Sequence, residues 1–124
     1  MNTEATYAPP FQAREFFANK MAFTTGPAEL YHRIKSGHDI VIVDVREPKD
    51  FQKGHLPGAI NIPKAQWTTA KGFKNDTLNV LYGYSGVCDL VANAAVHWAV
   101  QGFRMMEMHG GFESWKENKL PIET

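Results

Sequence analysis

The chain carries a single cysteine, Cys88, in 124 residues. One thiol forms no internal disulfide and cannot supply a thiolate zinc cluster. Any thiol chemistry therefore falls on Cys88. It closes a short run, Gly83-Tyr84-Ser85-Gly86-Val87-Cys88, that follows an apolar β-type stretch and precedes a helical one. A loop so placed turns several backbone N–H groups inward and meets the positive end of a helix dipole. Such a cradle suits an anion or a thiolate. A second polar group, Asp44-Val45-Arg46-Glu47, follows another apolar stretch. Two readings stay open for Asp44 and Arg46. They orient the loop or a substrate anion, or they make a strand-end turn with a surface ion pair. His32, His38, His55, His97 and His109 lack the spacing of a metal site such as H-x-x-x-H, so no metal is expected.

The elements that must position these groups follow from the apolar pattern. Gly26-Pro27-Ala28-Glu29 opens a helix with proline at its first position. Leu30, Tyr31 and Ile34 give it an apolar face, and Ser36-Gly37 ends it. Ile40 to Val45 is a continuous, β-branched run, as in a strand buried on both faces of a parallel sheet. Leu78 to Tyr82 is a second such run. A helix from about Asp89 to Gln101 places Val91, Ala94, Ala95 and Trp98 on one face and Asp89, Asn93, His97 and Gln101 on the other. Gly102 caps it. Arg104 to Met108 reads as a third strand, with Met105, Met106 and Met108 as strand and core filler. Gly110-Gly111 turns into a last helix, Phe112 to Glu117, with Phe112 and Trp115 as core anchors. Strands alternating with helices predict an α/β domain with a largely parallel sheet. In such sheets ligands bind at the carboxyl ends of the strands, where both candidate groups lie.

Residues 1–10, ending in Pro9-Pro10, read as a lead-in. Phe11 to Met21 sets Ala13, Phe16, Phe17 and Met21 at helical spacing. This amphipathic helix is expected to pack on its own domain rather than to make a dimer contact. Residues 1–21 thus precede one domain, 22–124. At 44% hydrophobic and 12% aromatic, the chain can bury a core. Thirteen basic against thirteen acidic residues argue against nucleic acid or an anionic membrane as the partner. No apolar run approaches the ~18 residues of a spanning helix. The opening Met-Asn-Thr-Glu-Ala-Thr lacks a signal peptide's basic start and apolar stretch, so a cytoplasmic location is expected.

Three blocks together resemble the rhodanese family of single-domain sulfurtransferases. The first is Ile42-Val43-Asp44-Val45-Arg46-Glu47, followed by Asp50-Phe51. The second, Gly54-His55-Leu56-Pro57-Gly58-Ala59-Ile60-Asn61-Ile62-Pro63, is similar to the family's G-H-[IL]-P-G-A-x-N-[IL]-P signature. The third runs from the 83–88 loop through Gly102-Phe103 to His109-Gly110-Gly111-Phe112 and Trp115. The resemblance covers about residues 24 to 118. It implies a five-stranded, mostly parallel sheet flanked by helices on both faces. It also implies a reaction without a cofactor. A loop cysteine takes sulfane sulfur from a small anion such as thiosulfate, or from a persulfide donor, and the resulting persulfide passes the sulfur to a thiol or other thiophilic acceptor, which a protein can supply. Loop amides and the helix terminus would lower the thiol's pKa and stabilise the anionic persulfide.

One position departs from that pattern. The family nucleophile directly follows the strand, where this chain has Gly83. Cys88 lies five residues later. The loop is similar to that of a subgroup with a Cys-Tyr-Ser-x-x-Cys-like run, here with the first cysteine replaced. The resemblance therefore implies weak or absent sulfur transfer. Cys88 is read as an auxiliary or packed residue, with surrogate nucleophile as the alternative. A non-catalytic anion-binding or regulatory module is the other class of reading. His55 mainly shapes its turn in this pattern, with general base as the alternative. A related phosphatase class uses Cys-x5-Arg, but the sixth residue after Cys88 is Ala94, and the sixth after Gly83 is Asp89. Phosphatase chemistry is not expected.

Overall fold

The computed structural model describes residues 7–68, 72–74 and 76–124. The lead-in read over residues 1–10 lies outside them for its first six positions. The elements in chain order are α1 (Pro10–Phe23), β1 (Thr24–Thr25), α2 (Pro27–Lys35), β2 (Ile40–Asp44), α3 (Pro48–Lys53), β3 (Ile60–Asn61), β4 (Leu78–Tyr82), α4 (Leu90–Ala99), β5 (Met105–Met108) and α5 (Gly111–Glu117). A 3-10 turn at Lys64–Gln66 follows β3. The five strands form one sheet in the order β1-β5-β4-β2-β3, and every pairing is parallel. The long central strands β2 and β4 are those expected from their continuous apolar runs. β1 and β3 have two residues each and carry no periodic signal. α3 has six residues and no buried one, so it also leaves no periodic trace.

Both faces of the sheet are apolar because successive strand residues point to opposite sides. Val43 and Val45 join Leu81, Val91, Ala94 and Trp98 in a core under α4. Ile42, Val80 and Tyr82 join Leu30, Leu56, Met108 and Trp115 in a second core under α2 and α5. This alternation brings Asp44 to the α2/α5 side with Tyr82, its register partner across β2 and β4. Of the methionines read as core filler, Met108 is fully buried, while Met105 and Met106 are half-buried.

The first helix corrects an expectation. α1 forms where the spacing predicts it, yet none of its residues is buried. Successive helix residues turn by about 100°, so Phe11, Phe16 and Phe17 point roughly 120° apart rather than along one stripe. Its large apolar side chains are spread around the circumference among Gln12, Arg14, Glu15, Asn19 and Lys20, and the helix does not lay a face on the domain. Among the described residues no helix is long and apolar enough to cross a membrane.

Candidate functional site

Two loops meet at the carboxyl ends of β2 and β4. The first begins with Asp44 and Arg46, which are 0% and 3% exposed. Their pairing is bidentate. Arg46 Nη2 donates to Asp44 Oδ2 at 2.8 Å, and Nε lies 3.1 Å from both carboxylate oxygens. The Arg46 backbone N–H donates to Asp44 Oδ1 at 2.8 Å. Tyr82 Oη donates to Asp44 Oδ2 at 2.6 Å and accepts the Leu56 N–H at 3.1 Å. The reading of a surface ion pair is therefore corrected: this pair is buried. Strand alternation makes it so, because Asp44 is directed into the α2/α5 core rather than off the strand end. Burial and the neighbouring Asp44 charge push the Tyr82 hydroxyl well above its usual range. Burial works against the Arg46 charge, but the Asp44 hydrogen bonds and charge prevail and hold its pKa above the ordinary value.

The Gly54–Pro63 block builds the rest of this floor. Arg46 Nη2 also donates to the Gly54 carbonyl at 2.6 Å. Asn61 Nδ2 donates to the carbonyls of Asp44 and Arg46, both at 2.9 Å. His55 lies within the turn. Its Nδ1 is 2.9 Å from the Phe51 carbonyl, and its ring stacks on Phe51 at 3.8 Å. These contacts occupy the imidazole with local structure, and it does not line the cleft described below.

The second loop is Gly83–Cys88. Gly83 is buried against Val91 and Val45, and a Cβ built on it would meet their methyl groups at 3.2 and 3.8 Å. Gly83 and Tyr84 are clamped by the start of α5. The N–H of Phe112 donates to the Gly83 carbonyl at 2.9 Å, and that of Glu113 to the Tyr84 carbonyl at 3.0 Å. This approach requires glycine at 111. Its φ is +64°, and a Cβ there would lie 2.5 Å from the Ser85 nitrogen. The sequence reading took Gly110-Gly111 only as a turn into the last helix. The dipeptide docks the loop as well.

Beyond Ser85 the loop is open. Val87 is 94% exposed, and Cys88 is half-buried, its N–H 3.4 Å from the Ser85 carbonyl. The N–H groups of Tyr84, Ser85, Gly86 and Val87 have no protein acceptor among the described residues. They precede α4, which begins at Leu90 rather than Asp89.

A cleft of about 530 Å³ opens between the two loops. Arg46, Tyr84, Ser85 and Phe112 line it, with Lys53, Lys116, Asp50 and Glu113 among its other walls. Neither Gly83 nor Cys88 lines it; of the loop, Tyr84 and Ser85 do. Phe112 lies over the Arg46 guanidinium at 4.1 Å, so it serves as a cleft wall more than as the core anchor expected beside the fully buried Trp115. Tyr84 Oη donates to Asp50 Oδ2 at 2.6 Å and accepts the Glu47 N–H at 3.1 Å. The Tyr84 hydrogen bond holds the Asp50 carboxyl below its usual range. The Tyr84 hydroxyl is in turn pushed up, by burial and by Asp50. Sequence reasoning missed Lys53, Phe112 and Lys116 as cleft residues. Lys53 lies on α3 while Phe112 and Lys116 lie on α5, far apart in sequence, and only Phe112 stands in a motif that draws attention to it. Among the described residues no group of three or more His, Cys, Asp or Glu side chains is placed to hold a metal.

The parallel sheet and the strand–loop–helix at its carboxyl end define an α/β domain with a polar cleft floored by a buried ion pair. Known proteins share this plan. Residues 26–118 match the model of the Rhodanese-like domain, so the chain belongs to the rhodanese-like domain family. Its relatives include the thiosulfate sulfurtransferase GlpE of Pseudoalteromonas translucida, 35% identical over 63% of this chain and 74% of that protein. They also include the probable adenylyltransferase/sulfurtransferase MoeZ, 33% identical over 79% of this chain, and the HTH-type transcriptional regulator Rv0324, 31% identical over 77%, both of Mycobacterium tuberculosis. The chain spans 26% of MoeZ and 42% of the regulator, less than half of either. Among solved structures, the BH2092 protein of Bacillus halodurans superposes with a TM-score of 0.84 at 30% identity, over 93% of this chain and 86% of that one. A full-length protein of Lactobacillus plantarum does so at 0.82 and 24% identity, over 94% and 99%. The 7% of 124 residues unmatched by BH2092 is about 9, fewer than the 14 of α1, so at least part of α1 has a counterpart there.

Proposed function

We propose that this chain is a rhodanese-like sulfurtransferase domain that keeps its anion-binding loop and has lost the nucleophile at Gly83. In the full reaction a loop thiolate attacks the sulfane sulfur of thiosulfate. The S–S bond breaks, sulfite leaves with the bonding pair, and the cysteine retains a persulfide anion. The observation that carries the reading is the clamped start of the loop. The residue directly after β4 is buried, held by α5 and followed by four backbone N–H groups with no protein acceptor among the described residues, yet it has no side chain to carry sulfur. Lys53 and Lys116 on the cleft walls add positive charge for an anionic donor. A thiol acceptor, small or protein-borne, would enter by the same opening.

Cys88 is a poor substitute by this geometry. It is half-buried at the loop's open end, beside the exposed Val87 and five residues from the start that α5 clamps. The domain then behaves as an anion-binding or regulatory module, consistent with a relative that is a transcriptional regulator.

Mass spectrometry after exposure to thiosulfate tests the proposal. The expected result is no added sulfur on Cys88 and negligible transfer to cyanide, while Gly83→Cys acquires one sulfur atom at position 83. The Val91 contact at 3.2 Å requires that methyl group to give by a few tenths of an ångström. Rapid turnover by the unmodified chain, lost in Cys88→Ser, would overturn the reading and make Cys88 the nucleophile. A folded Gly83→Cys protein that forms no persulfide would refute the lost-nucleophile account.

A further inference from the structure

Helix α1 exposes more apolar surface than a lone domain has reason to. Phe11, Phe16 and Met21 are 68%, 61% and 78% exposed, Phe17 and Phe23 are also open to solvent, and so is Tyr7 just before the helix. At 150–250 Å² for a large aromatic side chain, these six leave roughly 800 Å² of side-chain surface uncovered. The distribution is as telling as the amount. Large apolar side chains interspersed with polar ones on every side need cover from more than one direction, whereas a helix lying on a bilayer needs one segregated, strongly charged face. The only charged residues of α1 are Arg14, Glu15 and Lys20.

The receiving surface lies on the same edge of the molecule. A groove of about 560 Å³ runs between the end of α1, β5 and α4. Phe23, Ala92, Ala95, Val96, Ala99 and Met106 make its wall largely apolar, and the alanines keep it open enough to admit bulky side chains. The sheet ends here at β1, which has two residues and offers little edge to cover the groove.

We infer that a second copy of this chain covers α1, in a two-fold dimer where the α1 helix of each copy lies against the other's groove. A projection and a matching groove on one edge of one chain are what an isologous interface needs, since each copy then gives and receives the same surface. The area agrees. Part of this α1 surface together with the groove on each copy can supply the roughly 800 Å² per partner of a standard stable interface. The two copies together can cover α1 on more than one side, which its own domain does not do. At least part of α1 is matched in the BH2092 structure, although the family match itself begins at residue 26, so the segment is an addition that is not peculiar to this chain.

Sedimentation equilibrium of the full chain tests this. The expected species has twice the mass of the 13.9 kDa chain. The double substitution Phe16→Asp with Phe17→Asp is expected to weaken association by at least roughly 30-fold, with the far-UV circular dichroism of the domain retained. Val96→Asp, on the exposed wall of the groove, is expected to do the same from the opposite side and gives the reading should the helix variant misfold. A wild-type chain that stays monomeric at its highest soluble concentration would overturn the inference. So would a dimer indifferent to both variants, or a monomer that co-sediments with phosphatidylglycerol vesicles.

Discussion

The two ends of the 83–88 loop are built on different terms. At the Gly83 end the backbone is buried, both carbonyls are taken by α5, and the neighbouring floor is a closed network of Asp44, Arg46, Tyr82 and Gly54. At the Cys88 end the chain is open, with Val87 in solvent and the thiol half-buried with no clamp from α5. Nucleophilic chemistry needs a side chain held in one geometry to a fraction of an ångström. The rigid end has that support and no side chain. The open end has the side chain without the support.

Removing the floor is the largest available blow to the rigid end. Asp44→Ala leaves the Arg46 guanidinium buried without its carboxylate, and breaking such a pair costs about 3–5 kcal/mol. Urea denaturation should show that loss, and a cost within about 0.5 kcal/mol, as for a surface pair, would break the contrast between the two ends. Gly111→Ala attacks the clamp itself. The new methyl group must displace the Ser85 nitrogen while holding a left-handed backbone, a strain of roughly 1–3 kcal/mol. Loop-amide chemical shifts should move at 83–86 and less at 87–88 if the two ends are as independent as they look. Equal shifts along the loop would mean that the clamp governs both.

The smallest effect sharpens the cleft wall. In the folded protein the Tyr84 hydrogen bond keeps the Asp50 carboxyl below its ordinary value of 3.8. A lowered folded-state pKa gives stability that is present above pH 3.8 and is lost as pH falls through the folded value. Tyr84→Phe should raise the Asp50 pKa in a carbon-13 NMR titration and flatten that acidic limb. An unmoved Asp50 titration would show that the hydrogen bond is not what holds it.

Much of this was legible from residue order. The continuous runs 40–45 and 78–82 announced the central strands, because a strand buried on both faces needs no polar alternation. The Gly-rich run before a helical pattern announced the loop. β1, β3 and α3 were not legible as elements, since two to six residues carry too little periodicity to separate from noise. The role of the Gly54–Pro63 block was hidden for another reason. Its contribution to the site is made by the carbonyl of Gly54, the N–H of Leu56 and the amide of Asn61, and backbone groups leave no mark in composition. The apolar content of α1 was visible, but its expected packing was not realised, because aromatic residues at helical spacing do not state which surface they meet.

The sequence by itself determined the number of thiols, the absence of a side chain at 83 and the family pattern around both, for these depend only on which residue stands where. Tertiary structure alone decided that Asp44 and Arg46 are a buried floor rather than a surface pair, that Gly111 clamps the loop, and that the clamp falls at Gly83 and Tyr84 rather than at Cys88. Those outcomes depend on how strands pair and which face each residue takes, and strand pairing is a long-range choice that no local spacing records.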